Sequence, residues 1–275
     1  MTRLALLGLI TAAACGGSGS STPPDANDPA NVPFGTTAIV VVVNPTINDA
    51  NSQTIAQPGT TRAGVTLTTD DGVTATTDAT GIAVLAPVTA GMRTITVTGT
   101  GVTGTIPVSI ANGSLRELAI ATDATQAQTM VEVDYKTDQA VMLDPSMSNA
   151  QVNDALKVSD RIVFFAGGQY VGDLDFGGSR VTLFGEGALG GRVVVQGNVT
   201  VSGSNGRIRG THITGNLTIP ASGVGLSFSR VDGAITSEGS DGVLLANALC
   251  GAETVTGSGT IAVGNAGAAP LTTCP

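Results

Sequence analysis

Tryptophan is absent from this chain, and histidine occurs once, as His212. A single imidazole excludes a histidine-rich metal centre and a paired-histidine mechanism within one chain. In the run G-T-H-I-T, between Gly210 and Ile213, His212 reads as a solvated or hydrogen-bonded turn residue. Aromatic residues amount to 3% and charged residues to 12%, which leaves little material for a stacked sugar-binding platform. Lysine and arginine number 12 against 21 acids, for a net charge of -9. No basic run is dense enough to neutralise several phosphates, so nucleic acid is not an expected partner. There is no phosphate loop, dinucleotide fingerprint or serine nucleophile elbow, and no cofactor is expected. Cysteine is scarce as well, with only Cys15, Cys250 and Cys274.

What the chain has in quantity is glycine, 38 residues of it, with recurrent valine and threonine. That bias favours strands and tight turns over helices, and the length leaves room for two domains. At the N-terminus Arg3 precedes an apolar run from Leu4 to Ile10, then the small residues Ala12, Ala13 and Ala14 ahead of Cys15. The apolar piece is far shorter than the roughly 20 residues that span a bilayer, so this order reads as an export signal. It resembles a bacterial lipoprotein signal with its lipobox. The resemblance implies that 1–15 is signal and lipidation site, with Cys15 carrying lipid as the first mature residue and the membrane as partner. Because Gly16 and no aspartate follows, it also implies the outer membrane or cell surface as destination. Residues 16–35, rich in Gly, Ser, Pro and Asp without apolar periodicity, read as a flexible tether. With Cys15 lipidated, Cys250 and Cys274 remain as an even pair in an exported chain, most simply one disulfide, with two free thiols as the alternative. Such a bridge would close a loop of about 25 residues and stabilise by roughly 3–4 kcal/mol.

Residues 36–121 form the first domain. Strand-like runs at Ala38 to Val43, Val65 to Thr69, Gly81 to Leu85, Thr94 to Thr98, Gly104 to Ile110 and Leu115 to Ala121 are separated by turn signals such as Asn44-Pro45 and Asp70-Asp71-Gly72. Short strands at this spacing predict an antiparallel sandwich, with Ile95 and Val97 facing the core. The stretch T-T-D-A-T-G-I-A-V-L from Thr76, followed by A-G-M-R-T-I-T-V from Ala90, resembles bacterial immunoglobulin-like and carboxypeptidase-regulatory-like modules, which serve as spacers or adhesive stalks. A connector at 122–147 follows, in which Met130 to Tyr135 alternates as one strand. Ser148 to Val158 reads as a short helix, N-capped by Ser148, with Val152, Ala155 and Leu156 on one side.

From Arg161 onward the pattern changes to short β-branched triplets interrupted by glycine, with corresponding pieces near twenty residues apart. No single coil buries its own apolar residues, but stacked coils enclose a continuous Val/Ile/Leu interior. Residues 148–275 are therefore expected to form a parallel β-helix of about five coils. Ala155, Leu156, Gly168, Tyr170, Gly172, Val181, Leu183, Gly185 and Gly187 resemble the opening of pectin-lyase-like right-handed β-helix proteins, capping helix included. The helix would cover one end of the stack, and the segment after Cys250, tied through Cys274, the other.

Asp173 and Asp175, two apart in a strand, point to one side and form a possible ion or ligand site, as do Arg207 and Arg209. Pectin-lyase-like relatives that cleave acidic polysaccharides use clustered aspartates and a basic residue. Here the remaining acids are singly placed, no hydrolase element is present, and no catalytic or metal residue is assigned. Phe164 and Phe165 are adjacent in a strand, so one must face outward. The expected function is that of a non-enzymatic cell-surface lipoprotein with a structural or adhesive role toward extracellular polysaccharide or cell-surface protein. A polysaccharide lyase or glycoside hydrolase of the β-helix type is the alternative.

Overall fold

Six consecutive apolar residues at Ala38–Val43 form strand β1, and all six are buried. A strand without polar alternation needs an apolar layer on both faces, and β1 has them. Ile39, Val41 and Val43 enter one core, while Ala38, Val40 and Val42 enter another. The computed structural model describes residues 26–33, 35–45, 47–48, 62–136, 141–185 and 193–265. The chain is all-β apart from short helical pieces, and no helix among the described residues is long and apolar enough to cross a membrane.

After β1 come β2 (Ile47–Asn48), β3 (Thr66–Thr69), β4 (Thr74–Thr76), β5 (Ile82–Leu85), β6 (Gly91–Gly99), β7 (Val102–Ile110), β8 (Ser114–Thr122) and β9 (Ala127–Lys136). All but β2 build two four-stranded sheets, in the orders β5-β1-β8-β9 and β4-β3-β6-β7. A shared core including Ile95, Val97, Leu67, Leu118 and Ile120 lies between them. The strict alternation of β6 places Ile95 and Val97 inward, as its sequence dictates. The first unit extends beyond residue 121, because β9 pairs antiparallel along β8 from Thr122↔Ala127 to Ser114↔Lys136. The stretch 122–147, read as a connector, therefore supplies a strand of the sandwich and a further strand, β10 (Val141–Leu143), that opens the next unit.

Helix α1 (Asn149–Leu156) starts where expected. The Ser148 side chain accepts from the Gln151 amide, and Gln151 Oε1 accepts from the Ser148 amide at 2.9 Å, a reciprocal capping box. Val152, Ala155 and Leu156 bury into the interior of the stack that follows. Its first coil is β11 (Ile162–Phe165), β12 (Gly168–Val171) and β13 (Leu174–Asp175), and its second β14 (Thr182–Gly185), β15 (Val193–Gln196) and β16 (Val199–Thr200). The third is β17 (Arg207–Arg209), β18 (His212–Ile213) and β19 (Leu217–Ile219), and the fourth β20 (Gly225–Ser227), β21 (Arg230–Val231) and β22 (Ile235–Ser237). The fifth is β23 (Val243–Leu245), β24 (Ala248–Leu249) and β25 (Glu253–Val255), followed by β26 (Ile261–Val263). Each coil gives one strand to each of three parallel sheets, a β-helix-like stack.

Along the second and third sheets the coil intervals are 25 and then 18 residues, and along the first sheet they are 20 and 25 before settling at 18. The excess in the intervals of 25 falls at 186–192, outside the described residues. The 18-residue period stacks like on like. Asn198 Oδ1 accepts from the Asn216 amide at 2.9 Å, and Asn216 Oδ1 from the Ala234 amide at 2.8 Å. Inside the stack, Asn247 Oδ1 accepts from Ser229 N at 3.0 Å and Asn265 Oδ1 from Asn247 N at 2.9 Å. These four amides thus find a side-chain acceptor one coil away. Between the second and third sheets a glycine column, Gly197, Gly215, Gly233 and Gly251, lets turns lie on turns. A Cβ on Gly233 would fall 2.5 Å from the Gly215 carbonyl oxygen.

The segment after Cys250 supplies β26, which stacks on β23 of the last coil, and that strand has a cover of its own. Strand β2, sent over from the sandwich, pairs antiparallel with β26 through Ile47↔Val263 and covers that sheet edge. Cys250 is disulfide-bonded, and the expected partner Cys274 lies outside the described residues.

The two units share a second core. The outer face of the β5-β1-β8-β9 sheet packs on the outer face of the first parallel sheet, where Val40, Val131, Val133 and Tyr135 meet Phe184, Phe228, Leu245 and Val263. Phe165 points into the stack, and Phe164, the outward member of that pair, packs half-buried against the core shared with the sandwich. At the centre of this apolar layer Arg209 Nε donates to Glu117 Oε1 at 2.6 Å, with side chains 4% and 0% exposed. Arg209 Nη2 donates to the Pro29 carbonyl at 3.2 Å, and its guanidinium lies 5.7 Å from the Phe228 ring centroid. The Tyr135 hydroxyl bonds the Ser227 hydroxyl, and its ring meets Phe184 edge-on at 5.0 Å. Burial pushes the Glu117 carboxyl up from its ordinary value, and the Arg209 charge opposes that rise.

Removing one partner of such a pair leaves the other charge buried, a loss of about 3–5 kcal/mol. Glu117→Ala is therefore expected to lower the urea midpoint sharply. The paired change Glu117→Leu with Arg209→Met should recover most of that loss, as read by equilibrium unfolding of all three proteins.

Candidate functional site

The four residues singled out in the stack do not converge. Asp173 sits in the turn between β12 and β13, where its Oδ1 accepts from the Asn198 amide at 2.7 Å and from Asn198 Nδ2 at 3.2 Å. It heads the asparagine ladder. Its own carbonyl accepts from Asn149 Nδ2 and Asn153 Nδ2, both at 3.0 Å, which ties α1 to the first coil. Asp175, in β13, accepts from the Ser202 hydroxyl at 2.8 Å, and its amide donates to Asn153 Oδ1 at 2.7 Å. Both acids thus fasten the end helix and the third sheet. Arg207 and Arg209 belong to the first sheet and share its outward side as their spacing requires. Arg207 Nη1 donates to the Gly206 carbonyl at 3.0 Å and to the Gly223 carbonyl, whereas Arg209 is taken up between the units. The acids lie in the third sheet and the turn before it, the bases lie in the first sheet, and none of the hydrogen bonds described joins one set to the other.

His212 is a strand residue of β18 and not a turn residue. Its Nε2 lies 2.8 Å from Asp232 Oδ2, and Arg230 Nε donates to Asp232 Oδ1 at 2.6 Å. Register explains the cluster, since Arg230 stacks on His212 in the next coil and Asp232 follows on the same side. Burial pushes the Asp232 carboxyl up, but the His212 and Arg230 bonds together hold it below its ordinary value. An 18-residue period read from the sequence would have placed Arg230 beside His212. Among the described residues no group of three or more His, Cys, Asp or Glu side chains is placed to hold a metal ion.

The outer face of the third sheet carries a repeating column. Asp175, Thr200, Thr218, Thr236 and Thr254 stand in direct register, one per coil. Parallel pairing sets their separation at about 4.8 Å.

A cavity of about 740 Å³ opens on the sandwich. One wall is β4, another is β5 with Ala86 and Pro87, and the third is the segment entering the domain, with Asn27, Asp28 and Val32. Asn27 Nδ2 donates to the Thr76 carbonyl at 2.7 Å, and Asn27 Oδ1 accepts from the Val84 amide at 3.3 Å. One carboxamide therefore spans the edges of both sheets. The sequence had assigned Asn27 to a flexible tether, and only its Asx character hinted at a local bonding role. Asp71, in the β3–β4 turn, braces the loop before β6 by accepting from the Thr89 amide at 2.6 Å and from the Thr69 hydroxyl.

Compared with known proteins, the chain matches no family model, no curated protein and no solved structure.

The Thr69 hydroxyl and the Thr89 amide hold the Asp71 carboxyl at about 2, below its ordinary 3.8. A depressed carboxyl stabilises fully above its unfolded value and loses that contribution as pH falls through its folded value. The Thr89 amide resonance should accordingly titrate with a midpoint near 2 and stay flat in Asp71→Asn, as followed by NMR between pH 5 and pH 1.5, a window of about this width.

Proposed function

We propose that the protein is a non-enzymatic lipoprotein of the cell surface, anchored through lipid on Cys15 and displaying a rigid β platform with a structural or adhesive role. In this reading the sandwich is an immunoglobulin-like spacer and the stack a small right-handed, pectin-lyase-like β-helix whose last coil is tied by a Cys250–Cys274 bridge. The observation that carries the reading is the shared apolar layer between the units, which makes spacer and stack one stiff body. A stiff body suits load bearing and surface display better than two beads on a linker, since domain motion is expected only where the interface is small or polar. The threonine column supports adhesion in particular, offering hydroxyls at a fixed repeat on a face that the sandwich does not cover. The alternative, a polysaccharide lyase or hydrolase, relied on Asp173 and Asp175 meeting Arg207 or Arg209 in one groove, and those residues hold other partners.

Two measurements test this. Cells expressing the full chain and fed labelled fatty acid should yield labelled, membrane-associated protein, and Cys15→Ser should abolish the label. Purified protein incubated with acidic and neutral polysaccharides, with and without calcium, should leave chain length unchanged. Shortening that disappears in Asp173→Ala would overturn the structural reading in favour of the enzymatic one.

A further inference from the structure

The cavity on the sandwich has walls of an unusual kind, because two of them are sheet edges. On one side the Thr69 amide bonds the Val73 carbonyl and the Thr77 amide bonds the Val65 carbonyl. Antiparallel alternation then makes 73, 75 and 77 the residues that bond β3, so the peptide groups of Thr74 and Thr76 aim away from it. On the other side the Val43 amide bonds the Gly81 carbonyl. The same alternation turns the peptide groups of Ile82 and Val84 outward from β1.

These edges have already been given partial substitutes. Ile82 is occupied at both groups, its amide donating to Asp78 Oδ1 and its carbonyl accepting from the Asp78 amide, each at 3.0 Å. Across the cavity the substitute is Asn27, whose carboxamide donates to one edge at Thr76 and accepts from the other at Val84. A carboxamide has the same donor and acceptor as a peptide unit, so the cavity already holds one peptide-like group in the bridging position. Among the described residues Asp28 is its one charged lining residue and no aromatic ring lines it, which disfavours anions and stacked rings. The apolar parts, Val32, Val84, Ala86 and Pro87 among them, are small. The volume lies within the range of about 300–1,000 Å³ typical of ligand sites.

We infer that this cavity binds an extended, uncharged peptide segment with small β-branched side chains, held by main-chain hydrogen bonds to the edges of β4 and β5, with the Asn27 carboxamide as its internal stand-in. Edge recognition of this kind takes affinity from the backbone and selectivity from the pockets for alternate side chains. It does not depend on lipid anchoring or on the adhesive role of the stack.

The test is an NMR titration of the ¹⁵N-labelled full chain with a blocked alternating Thr/Val hexapeptide. The expected result is movement of the Asn27 side-chain amide and of the Thr74, Thr76 and Val84 amides. The same peptide N-methylated at alternate residues, which keeps the side chains and removes donors, should move none of them. Asn27→Ala removes the competitor and should bind the unmodified peptide about fivefold tighter, the equivalent of one ordinary net hydrogen bond. Resonances unmoved at millimolar peptide, equal response to the N-methylated peptide, or a response to a neutral oligosaccharide in place of the peptide would each overturn the inference. Equal or weaker binding by Asn27→Ala would overturn the stand-in role, and the wild-type comparison decides the site even should that variant not fold.

Discussion

The ion pair of Arg209 with Glu117 is the point at which the whole molecule meets. It joins β17 of the stack to β8 of the sandwich, and through the Pro29 carbonyl it also holds the segment that enters the first domain. Three stretches distant in the chain are thereby fixed to one guanidinium. The surrounding layer of Val40, Val133, Phe184 and Phe228 supplies the driving force, at about 1.5–3 kcal/mol for each large apolar side chain fully buried. Apolar contact is non-directional, however, and a flat sheet can slide on another flat sheet. A directional charge contact at 2.6 Å cannot slide without losing its partner.

That division of labour accounts for the layer order. The β5-β1-β8-β9 sheet lies in the middle, with its inner core on one side and the stack on the other. A middle sheet needs strands apolar on both faces, and β1 is such a strand. Strand β8 is one too along Leu118–Ile120, and just before them Glu117 puts an acid in a fully buried position. An uncompensated carboxylate there would cost several kcal/mol. Glu117 therefore specifies what must lie opposite, and Arg209 is the residue that satisfies it.

Much of this was legible beforehand, for reasons that lie in short-range patterning. Ile95 and Val97 alternate with threonines, Ser148 stands three residues before Gln151, and glycine-bounded Val/Ile triplets recur along the second half. Each is local, and each acts through periodicities that any strand or helix obeys. What was not legible depends on pairing at a distance. Glu117 and Arg209 are 92 residues apart, and nothing in either neighbourhood names the other. The same holds for β2, two residues that pair with β26 at the far end of the stack. The coil length was blurred because the longer early intervals of 20 and 25 residues mask the later 18. With that blur went the contact of His212 with Asp232, and the recognition that Asp173 begins a ladder in place of a groove.

The closure of the stack follows from the same constraint. A column of coils ends in unpaired edges that invite further strands. At its start α1 places Val152, Ala155 and Leu156 over the apolar interior, and its Asn149 and Asn153 amides take up the Asp173 carbonyl. At its end the first sheet is terminated by β2, which takes up the edge of β26 that another coil would otherwise pair with. Strand β2 reaches that edge only because the sandwich is docked against the same sheet. The interface that fixes the two units is therefore also what terminates the repeat, and loosening it would expose an edge as well as an apolar face.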